Sequence, residues 1–138
     1  MQQRVLNLRE LMEQDIKVNG QASAYLSGAD DIVTKDFALP VRQEALMLIR
    51  SRDVIHSVYI PHMRAQMNAV PGMTTTFKFT PSITTDSMRL VMDDEAFDYI
   101  LLCNKICGAS HYNMQMPLIV LESAEYDRWY AEQMGKPF

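Results

Sequence analysis

The sequence reads Cys103-Asn104-Lys105-Ile106-Cys107-Gly108-Ala109-Ser110-His111-Tyr112-Asn113-Met114 in the second half of the chain. This segment brings thiols, an imidazole and a thioether close together. Such soft ligands select copper, zinc or iron–sulfur clusters over calcium or magnesium. Zinc sites usually present their thiolates as C-x2-C pairs, whereas three residues separate the two cysteines here. Because methionine is a common axial ligand of copper and not a usual zinc ligand, the segment indicates copper.

Two shorter motifs precede this segment, in the order Asp53-Val54-Ile55-His56-Ser57 and Pro71-Gly72-Met73. Together the three motifs resemble the binuclear copper (CuA) domain of cytochrome c oxidase subunit II. The pattern of that family is D-V-[IL]-H-S, then P-G-M, then C-x-E-x-C-G-x-x-H-x-x-M. Three motifs in the family's order are far more specific than any one of them alone. The resemblance runs from about Asp30 to the C-terminus.

The resemblance implies a centre with two copper ions. It implies six metal-binding residues: His56, Cys103, Lys105, Cys107, His111 and Met114. In the family both thiolates bridge the two ions and each imidazole binds one of them. The thioether is then a weak ligand of one ion, and the backbone carbonyl at the lysine position is a weak ligand of the other. No further cofactor and no catalytic residue is implied.

Two positions depart from the family pattern. Lys105 stands where the family has a glutamate whose side chain reaches a magnesium ion. An ammonium group cannot ligate a cation, so no magnesium ligand is predicted here. The family also carries a tryptophan-rich run after the first strand, where electrons arrive from cytochrome c. Here Ala22-Ser23-Ala24-Tyr25 occupies that region, and Trp129 near the C-terminus is the only tryptophan.

The function implied by the resemblance is electron transfer within a haem–copper cytochrome c oxidase. The domain would accept single electrons from cytochrome c and pass them to the haem of subunit I. It would be part of an oxidoreductase, while in isolation it would be only an electron carrier. Nitrous oxide reductase also has a CuA domain, but usually with an aromatic pair between its cysteines, and Asn104-Lys105-Ile106 is similar to the oxidase instead.

Two alternatives to a binuclear relay remain open. The chain could be a copper-binding or assembly protein with a mononuclear site, which would bind one exchangeable metal ion per chain. The two cysteines could also form a disulfide in an oxidising compartment. That pairing leaves His56, His111 and Met114 unexplained, and we expect it mainly in metal-free protein exposed to air, where it would block copper uptake.

The pattern of short apolar segments between turn residues predicts an all-β fold, a Greek-key β-sandwich. The resemblance implies that this sandwich is cupredoxin-like. Strands are predicted at Ile16–Asn19, Ile32–Leu39, Glu44–Arg50, Val54–Ile60, Thr74–Thr80, Phe97–Leu102 and Leu118–Leu121. Residues 1–14 place apolar side chains at helical spacing and predict an amphipathic N-terminal helix, followed by the copper domain over residues 15–138. Ser123 is a candidate N-cap for a C-terminal helix at Ala124–Met134, with its aromatic residues near one face.

Composition limits the cell compartment and the partners. The chain has 138 residues, of which 48% are hydrophobic, and a formal net charge of −4. This charge argues against nucleic-acid binding and is compatible with a basic protein partner such as cytochrome c. No apolar stretch approaches the ~20 residues that cross a bilayer, and the N-terminus has no signal-peptide core. Subunit II normally carries membrane helices before its copper domain. We therefore expect a soluble fragment, or a protein whose leader has been removed, from the periplasmic face of a bacterial inner membrane or an equivalent outer-facing side.

Other polar residues are weaker candidates. His62 could be a second metal ligand, although a histidine outside a motif is more often exposed or hydrogen-bonded. Asp53 could orient His56 as a hydrogen-bond partner. The acidic run Asp93-Asp94-Glu95 is typical of a solvated turn and only secondarily of a docking patch. The scattered methionines are better explained as core residues than as a copper-trafficking motif.

Overall fold

Eight strands form two β-sheets within the residues that this computed structural model describes, 5–6 and 34–134. The smaller sheet is antiparallel in the order β1-β3-β6, formed by Val5–Leu6, Ala45–Ile49 and Thr75–Phe79. The larger sheet has the order β2-β8-β7-β4-β5, formed by Phe37–Pro40, Gln115–Leu121, Tyr99–Cys103, His56–Ile60 and Ala65–Ala69. Only the β2–β8 pair is parallel. Helix α1 (Thr85–Met92) joins β6 to β7, and helix α2 (Ser123–Met134) follows β8.

The core lies between the two sheets and follows from the alternation of apolar residues along the strands. In β3 every second residue is buried, so Ala45, Met47 and Ile49 face inward. The same period of two is expected for a strand with one face on the core. The larger sheet contributes its fully buried residues, with Leu39, Val58, Ile60, Leu118 and Val120 among them. Burial of these side chains is the main term that stabilises the sandwich.

The predicted sandwich is confirmed, with differences at the ends of its strands. The predictions at 44–50, 54–60, 74–80, 97–102 and 118–121 each coincide with a strand whose ends differ by a few residues. The strand predicted at 32–39 begins only at Phe37. Predictions for the strand Ile16–Asn19 and for most of the helix at residues 1–14 lie outside the described residues. Within that predicted helix, the described residues Val5 and Leu6 pair with Met47 and Leu46 in β1.

Strand β1 lies where a helix was predicted, and two further elements, β5 and α1, were not predicted at all. Strand β5 has the sequence Ala65-Gln66-Met67-Asn68-Ala69 and lacks β-branched and aromatic residues. Helix α1 begins after Thr84, whose hydroxyl accepts a hydrogen bond from the backbone N–H of Ser87. The C-terminal helix is confirmed one residue longer than predicted, at Ser123–Met134. Its aromatic residues lie near one face, as predicted, and the rings of Tyr126 and Trp129 stack with their centroids 6.0 Å apart.

Strand pairing brings three loops to the same end of the sandwich. His56 begins β4 and pairs with Ala69, the last residue of β5, while Val58 pairs with Cys103, the last residue of β7. A bridge between Ser51 and Pro71 joins the loop before β4 to the loop after β5. We call this region, formed by residues 50–55, 70–74 and 104–114, the ligand end. Helix α2 and the buried Thr85, which accepts a hydrogen bond from Val120, lie at the opposite end of β8.

No helix among the described residues is long and apolar enough to span a lipid bilayer.

Candidate metal centre

The two cysteines lie at the centre of the ligand end. The sulfur atoms of Cys103 and Cys107 are 3.8 Å apart, and both thiols are free. This separation is far longer than the ~2.05 Å of a disulfide bond. The backbone carbonyl of Lys105 accepts a hydrogen bond from the Cys103 thiol over 3.3 Å, so its oxygen points toward the sulfur pair. The pair is therefore arranged as two separate thiols that face a common space.

Histidines flank the sulfur pair from different parts of the chain. The Nδ1 atom of His56 lies 4.0 Å from the Cys103 sulfur, and the Nδ1 atom of His111 lies 3.5 Å from the Cys107 sulfur. His56 comes from the start of β4, whereas His111 begins a 3-10 turn, His111–Asn113, within the loop. Both imidazoles thus present the same nitrogen to the cysteines.

Met114 completes the set on the Cys107 side. Its thioether sulfur lies 3.2 Å from the Cys107 sulfur. The loop is closed at its base because the backbone N–H of Cys103 donates to the carbonyl of Met114 over 2.9 Å. Between these ends, Gly108 has φ +143°, a conformation that L residues with side chains rarely adopt. The sequence between the two strands therefore folds back on itself and directs its donor atoms to one point.

The surroundings of Cys103 favour its thiolate. Burial alone would raise the pKa of this thiol, but hydrogen bonds from the backbone of Ser57 and Lys105 and from the two imidazoles outweigh burial and hold the pKa at about 7. Burial and the neighbouring Cys103 sulfur raise the pKa of Cys107. The thiolate is the form that binds metal, so the lowered pKa of Cys103 favours metal binding near neutral pH.

The six residues predicted as metal ligands all lie around this sulfur pair. Three of them, His56, Cys103 and Cys107, place one donor atom each within 4.8 Å of one another. The set combines thiolate, imidazole, thioether and carbonyl donors, and this chemistry fits copper. His62 is not part of it. That histidine is exposed, and its ring contacts Phe97 and Tyr99 edge-on at centroid distances of 5.1 and 5.7 Å.

Asp53 contacts the imidazole of His56 on the side away from the sulfur atoms, in the orienting position that the sequence suggested. Its Oδ1 atom lies 2.8 Å from Nε2 of His56. A carboxylate in this position makes Nε2 the protonated nitrogen and leaves the lone pair of Nδ1 facing the sulfurs, which fixes the tautomer of a metal-binding histidine. The hydrogen bond lowers the pKa of Asp53 to about 2 and raises the pKa of His56, against the effect of burial on the imidazole.

One contributor was missed by sequence reasoning, namely the backbone of Ser57. It hydrogen-bonds to the Cys103 sulfur and lowers the pKa of that thiol. The residue itself is fully buried, and its hydroxyl accepts a hydrogen bond from the side chain of Gln66. A backbone amide carries no signature of its own in the sequence. Only the register of β4 against β7, which pairs Val58 with Cys103, could have located it.

The Asp53–His56 pair predicts a pH dependence of stability in the metal-free protein. The pKa of His56 is higher in the folded chain than in the unfolded chain, where it is about 6.5. The protonated imidazole therefore stabilises the fold at pH values below about 6.5, and this contribution is lost as the pH rises through the pKa of the folded state. A lowered aspartate pKa stabilises the fold above 3.8, and this contribution is lost as the pH falls toward 2. We therefore expect Asp53→Ala to lower the free energy of unfolding most between about pH 4 and 6.5.

Urea denaturation of metal-free protein at several pH values measures this difference. The exposed Asp127 in α2 provides the control, since Asp127→Ala removes a carboxylate that faces no buried imidazole. In copper-loaded protein, Asp53→Ala should weaken metal binding by roughly 10- to 100-fold, which is the usual effect of losing the partner of a metal-binding histidine. Equal effects of the two variants at every pH would contradict a specific role for Asp53.

Comparison with known proteins agrees with this site. Residues 11–124 match the family described as cytochrome c oxidase subunit II, periplasmic domain. The chain belongs to the cytochrome c oxidase subunit II family. The alternative cytochrome c oxidase subunit 2 of Bradyrhizobium diazoefficiens is 38% identical over 108 residues, which are 77% of this chain and 35% of that protein. The cytochrome c oxidase subunit 2 of Thermostichus vulcanus is 29% identical over 117 residues, which are 83% of this chain and 32% of that protein.

The chain thus spans about a third of these subunit II relatives. Among solved structures, it resembles the periplasmic domain of subunit II from Bradyrhizobium japonicum, with a TM-score of 0.60 at 22% identity over 73% of this chain and 64% of that one. A subunit II in a mixed disulfide with a thioredoxin-like protein gives a TM-score of 0.57 at 20% identity, over 75% and 64% of the two chains. These similarities confirm the predicted cupredoxin-like fold, and the Cys/His cluster agrees with the copper binding expected from the family.

Proposed function

We propose that this chain is the electron-transfer domain of a haem–copper cytochrome c oxidase. It would relay single electrons from cytochrome c through a binuclear CuA centre to the haem of subunit I. The observation that carries the proposal is the convergence of the six predicted ligands on one sulfur pair. An electron relay needs no site for a substrate.

The proposed roles of the ligands follow from their positions. Both sulfurs face the same space at a separation of 3.8 Å, so both could be shared by two ions. Nδ1 of His56 would serve the ion on the Cys103 side and Nδ1 of His111 the ion on the Cys107 side. The Met114 thioether and the Lys105 carbonyl would be the weak ligands. When bound, two copper ions would supply a centre in which one unpaired electron is spread over both metals, so that bond lengths change little on reduction.

The protein itself contributes a rigid frame to this function. His56 is held by Asp53 and by the pairing of β4 with β5, and the loop that carries the other ligands is closed by the bond from Cys103 to Met114. Ligands fixed in this way move little when the charge of a metal site changes. A site held by rigid strands on both sides therefore suits rapid one-electron transfer.

A mononuclear copper site is the second candidate, and one observation favours it. Donor atoms of His56, Cys103 and Cys107 alone lie within 4.8 Å of one another, which is enough to hold a single ion. In that case the chain would bind or deliver copper, and His111 would not be a ligand. The two candidates differ in the number of copper ions per chain and in the sharing of the unpaired electron.

Electron paramagnetic resonance of the copper-loaded chain, together with total copper per chain, tests the proposal. The thiols are reduced first, and copper is then added. Two copper ions per chain with hyperfine splitting from two equivalent nuclei are expected for the binuclear relay. One copper with splitting from a single nucleus would replace that proposal with the mononuclear site.

Met114 provides a prediction about the reduction potential of the copper centre. We expect Met114→Leu to keep both copper ions, because a thioether is a weak ligand, and to shift the reduction potential, because axial ligands set the potential of copper–thiolate sites. Redox titration of the copper-loaded variant measures the shift. Met116, two residues further along and outside the ligand loop, is the matched control, and Met116→Leu should leave the potential unchanged. Loss of one copper ion in Met114→Leu would contradict a weak axial role.

Copper loading also implies a reductant. A disulfide between Cys103 and Cys107 would remove both bridging ligands, and the two thiols are close enough for thiol–disulfide exchange to involve either of them. The similar subunit II that forms a mixed disulfide with a thioredoxin-like protein shows that such exchange occurs in that protein. We propose that a thioredoxin-like protein reduces this pair before copper binds, at the periplasmic face of a bacterial membrane.

A further inference from the structure

The ligand end exposes several large apolar side chains around the metal centre. Ile106 is 88% exposed and Tyr112 is 86% exposed, and both lie in the loop that carries the ligands. Val54, Ile55 and Met73 are also exposed, and they lie in the two other loops of this end. An exposed apolar group of this kind, gathered at one end of a domain, is a mark of a binding surface.

Among the described residues, the charges of the ligand end differ in sign from those of the rest. The three loops of this end carry three exposed cations, Arg50, Arg52 and Lys105, and one carboxylate, Asp53. That carboxylate is engaged by His56. The other described residues from 34 to 134 carry six cations and eleven carboxylates. The formal net charge of the chain therefore does not describe the end where the ligands lie.

The end of the sandwich opposite the ligand end is negatively charged around α1. Asp93, Asp94 and Glu95 follow α1, and all three are exposed. Such a separation of charge orients an approaching partner, since a positive surface attracts a negative one and accelerates their encounter. A protein with a basic contact face would be directed toward α1 and away from the metal centre.

We propose that the ligand end docks an electron-donor protein whose contact face has an apolar centre surrounded by carboxylates. This inference rests on the proposed electron-transfer function and specifies its partner. Ile106 and Tyr112 are the most exposed large apolar residues of this end, and they are the chain neighbours of Cys107 and His111. Lys105, Arg50 and Arg52 form the surrounding positive rim. An anionic membrane is the less suitable occupant, because lipid-binding surfaces usually gather four to eight basic residues.

Chemical-shift mapping tests the docking surface without relying on electron transfer. Two c-type cytochromes serve as probes, one with carboxylates and one with lysines around its exposed haem edge. Each is added to the reduced, copper-treated chain labelled with nitrogen-15. We expect the acidic cytochrome to shift the amide signals of the 104–114 loop, with an affinity that falls as salt is added. Preferential binding of the basic cytochrome at this loop would overturn the proposal, as would the absence of binding by the acidic one.

Variants connect the surface to the rate of reduction. Ile106→Ser and Tyr112→Ser should each lower the second-order rate constant for reduction by the acidic cytochrome by roughly fivefold, the typical loss for a central apolar contact. Leu90→Ser is the matched control, because Leu90 is 84% exposed but lies in α1 at the other end. Lys105→Gln should lower the rate at low salt, whereas Arg128→Gln in α2 should not. Equal losses at both ends would overturn the proposal.

A further experiment with lipid vesicles distinguishes a membrane surface from a protein partner. Vesicles containing phosphatidylglycerol are added to the same labelled chain, and binding that shifts the 104–114 loop would replace the protein partner with a lipid surface. The result of the chemical-shift mapping does not depend on the number of copper ions per chain. A mononuclear signal would end the binuclear proposal while the mapping still decides the surface, and two coupled coppers without cytochrome binding would end only the docking proposal.

Discussion

Cys103→Ser is expected to abolish the two-copper centre, leaving at most one weakly bound copper ion per chain. A serine hydroxyl is not ionised near neutral pH and is a hard ligand, so it cannot replace a thiolate between two copper ions. The side chain is buried and lies within hydrogen-bonding distance of the Lys105 carbonyl, the Cys107 sulfur and the His56 ring. Removing its sulfur therefore removes the group on which the other donors converge.

Copper content and the hyperfine pattern of the copper-loaded variant measure this loss. The matched control is Ala109→Ser, which adds a hydroxyl at an exposed position of the same loop and should keep both ions. Circular dichroism of both variants verifies the fold. Two coupled copper ions in Cys103→Ser would contradict a bridging role for this cysteine, and Cys107→Ser provides the same test for the second bridge.

Leu118→Ala is expected to produce the largest loss of stability among single substitutions considered. Leu118 is completely buried in β8, where it pairs with Tyr99 of β7 on one side and Phe37 of β2 on the other. Because it sits between two paired strands, the structure cannot easily collapse around a missing side chain. Truncation of such a leucine costs about 2–5 kcal/mol, from lost burial and the cavity that remains.

Urea denaturation of the metal-free variant measures this cost, with the slope of the transition as a check on two-state behaviour. Leu90→Ala removes the same atoms from a side chain that is 84% exposed, so it should change the free energy of unfolding by no more than about 0.5 kcal/mol. A similar cost for both variants would show that burial in β8 is not the source of the effect.

The sequence predicted the sandwich because most strands carry alternating apolar residues between clear turn signals. Strand β5 could not be predicted in this way, since Ala65-Gln66-Met67-Asn68-Ala69 has low intrinsic strand preference and is held by its pairing with β4. The start of β8 was placed too late because of Pro117. Pairing with β2 begins only at Leu118, so this proline lies where β8 has a neighbour on one side alone, a position that tolerates a missing N–H.

Helix α1 escaped prediction for a different reason. Its apolar residues Leu90, Val91 and Met92 are consecutive and exposed, so the segment lacks the regular apolar stripe of a helix that packs on a core. Its N-terminus carries a valid signal in Thr84 and Asp86, a capping hydroxyl followed by an acidic first turn. A search for caps independent of apolar spacing would have found it.

The candidate site was predicted residue by residue because its chemistry resides in side chains with distinctive types and spacing. The residues could be named from the sequence alone, and the structure then shows that they lie close together. The backbone of Ser57 and the relation of the loops to one another depend on strand register, which motif spacing does not encode. The same holds for the charge of the ligand end, because Arg50 and Lys105 are far apart in the sequence and lie at the same end only through the topology of the sheets.

The bond from the Cys103 amide to the Met114 carbonyl makes the ligand loop an exchangeable module. Its two ends are joined across the mouth of the β7–β8 hairpin, so we expect that the residues between them can be replaced as a unit with little effect on either strand. Evolution could therefore alter the metal environment and the partner-facing residues Ile106 and Tyr112 in one exchange while the sandwich stays the same. For protein engineering, grafting this segment between relatives is a route to new redox properties on an unchanged scaffold.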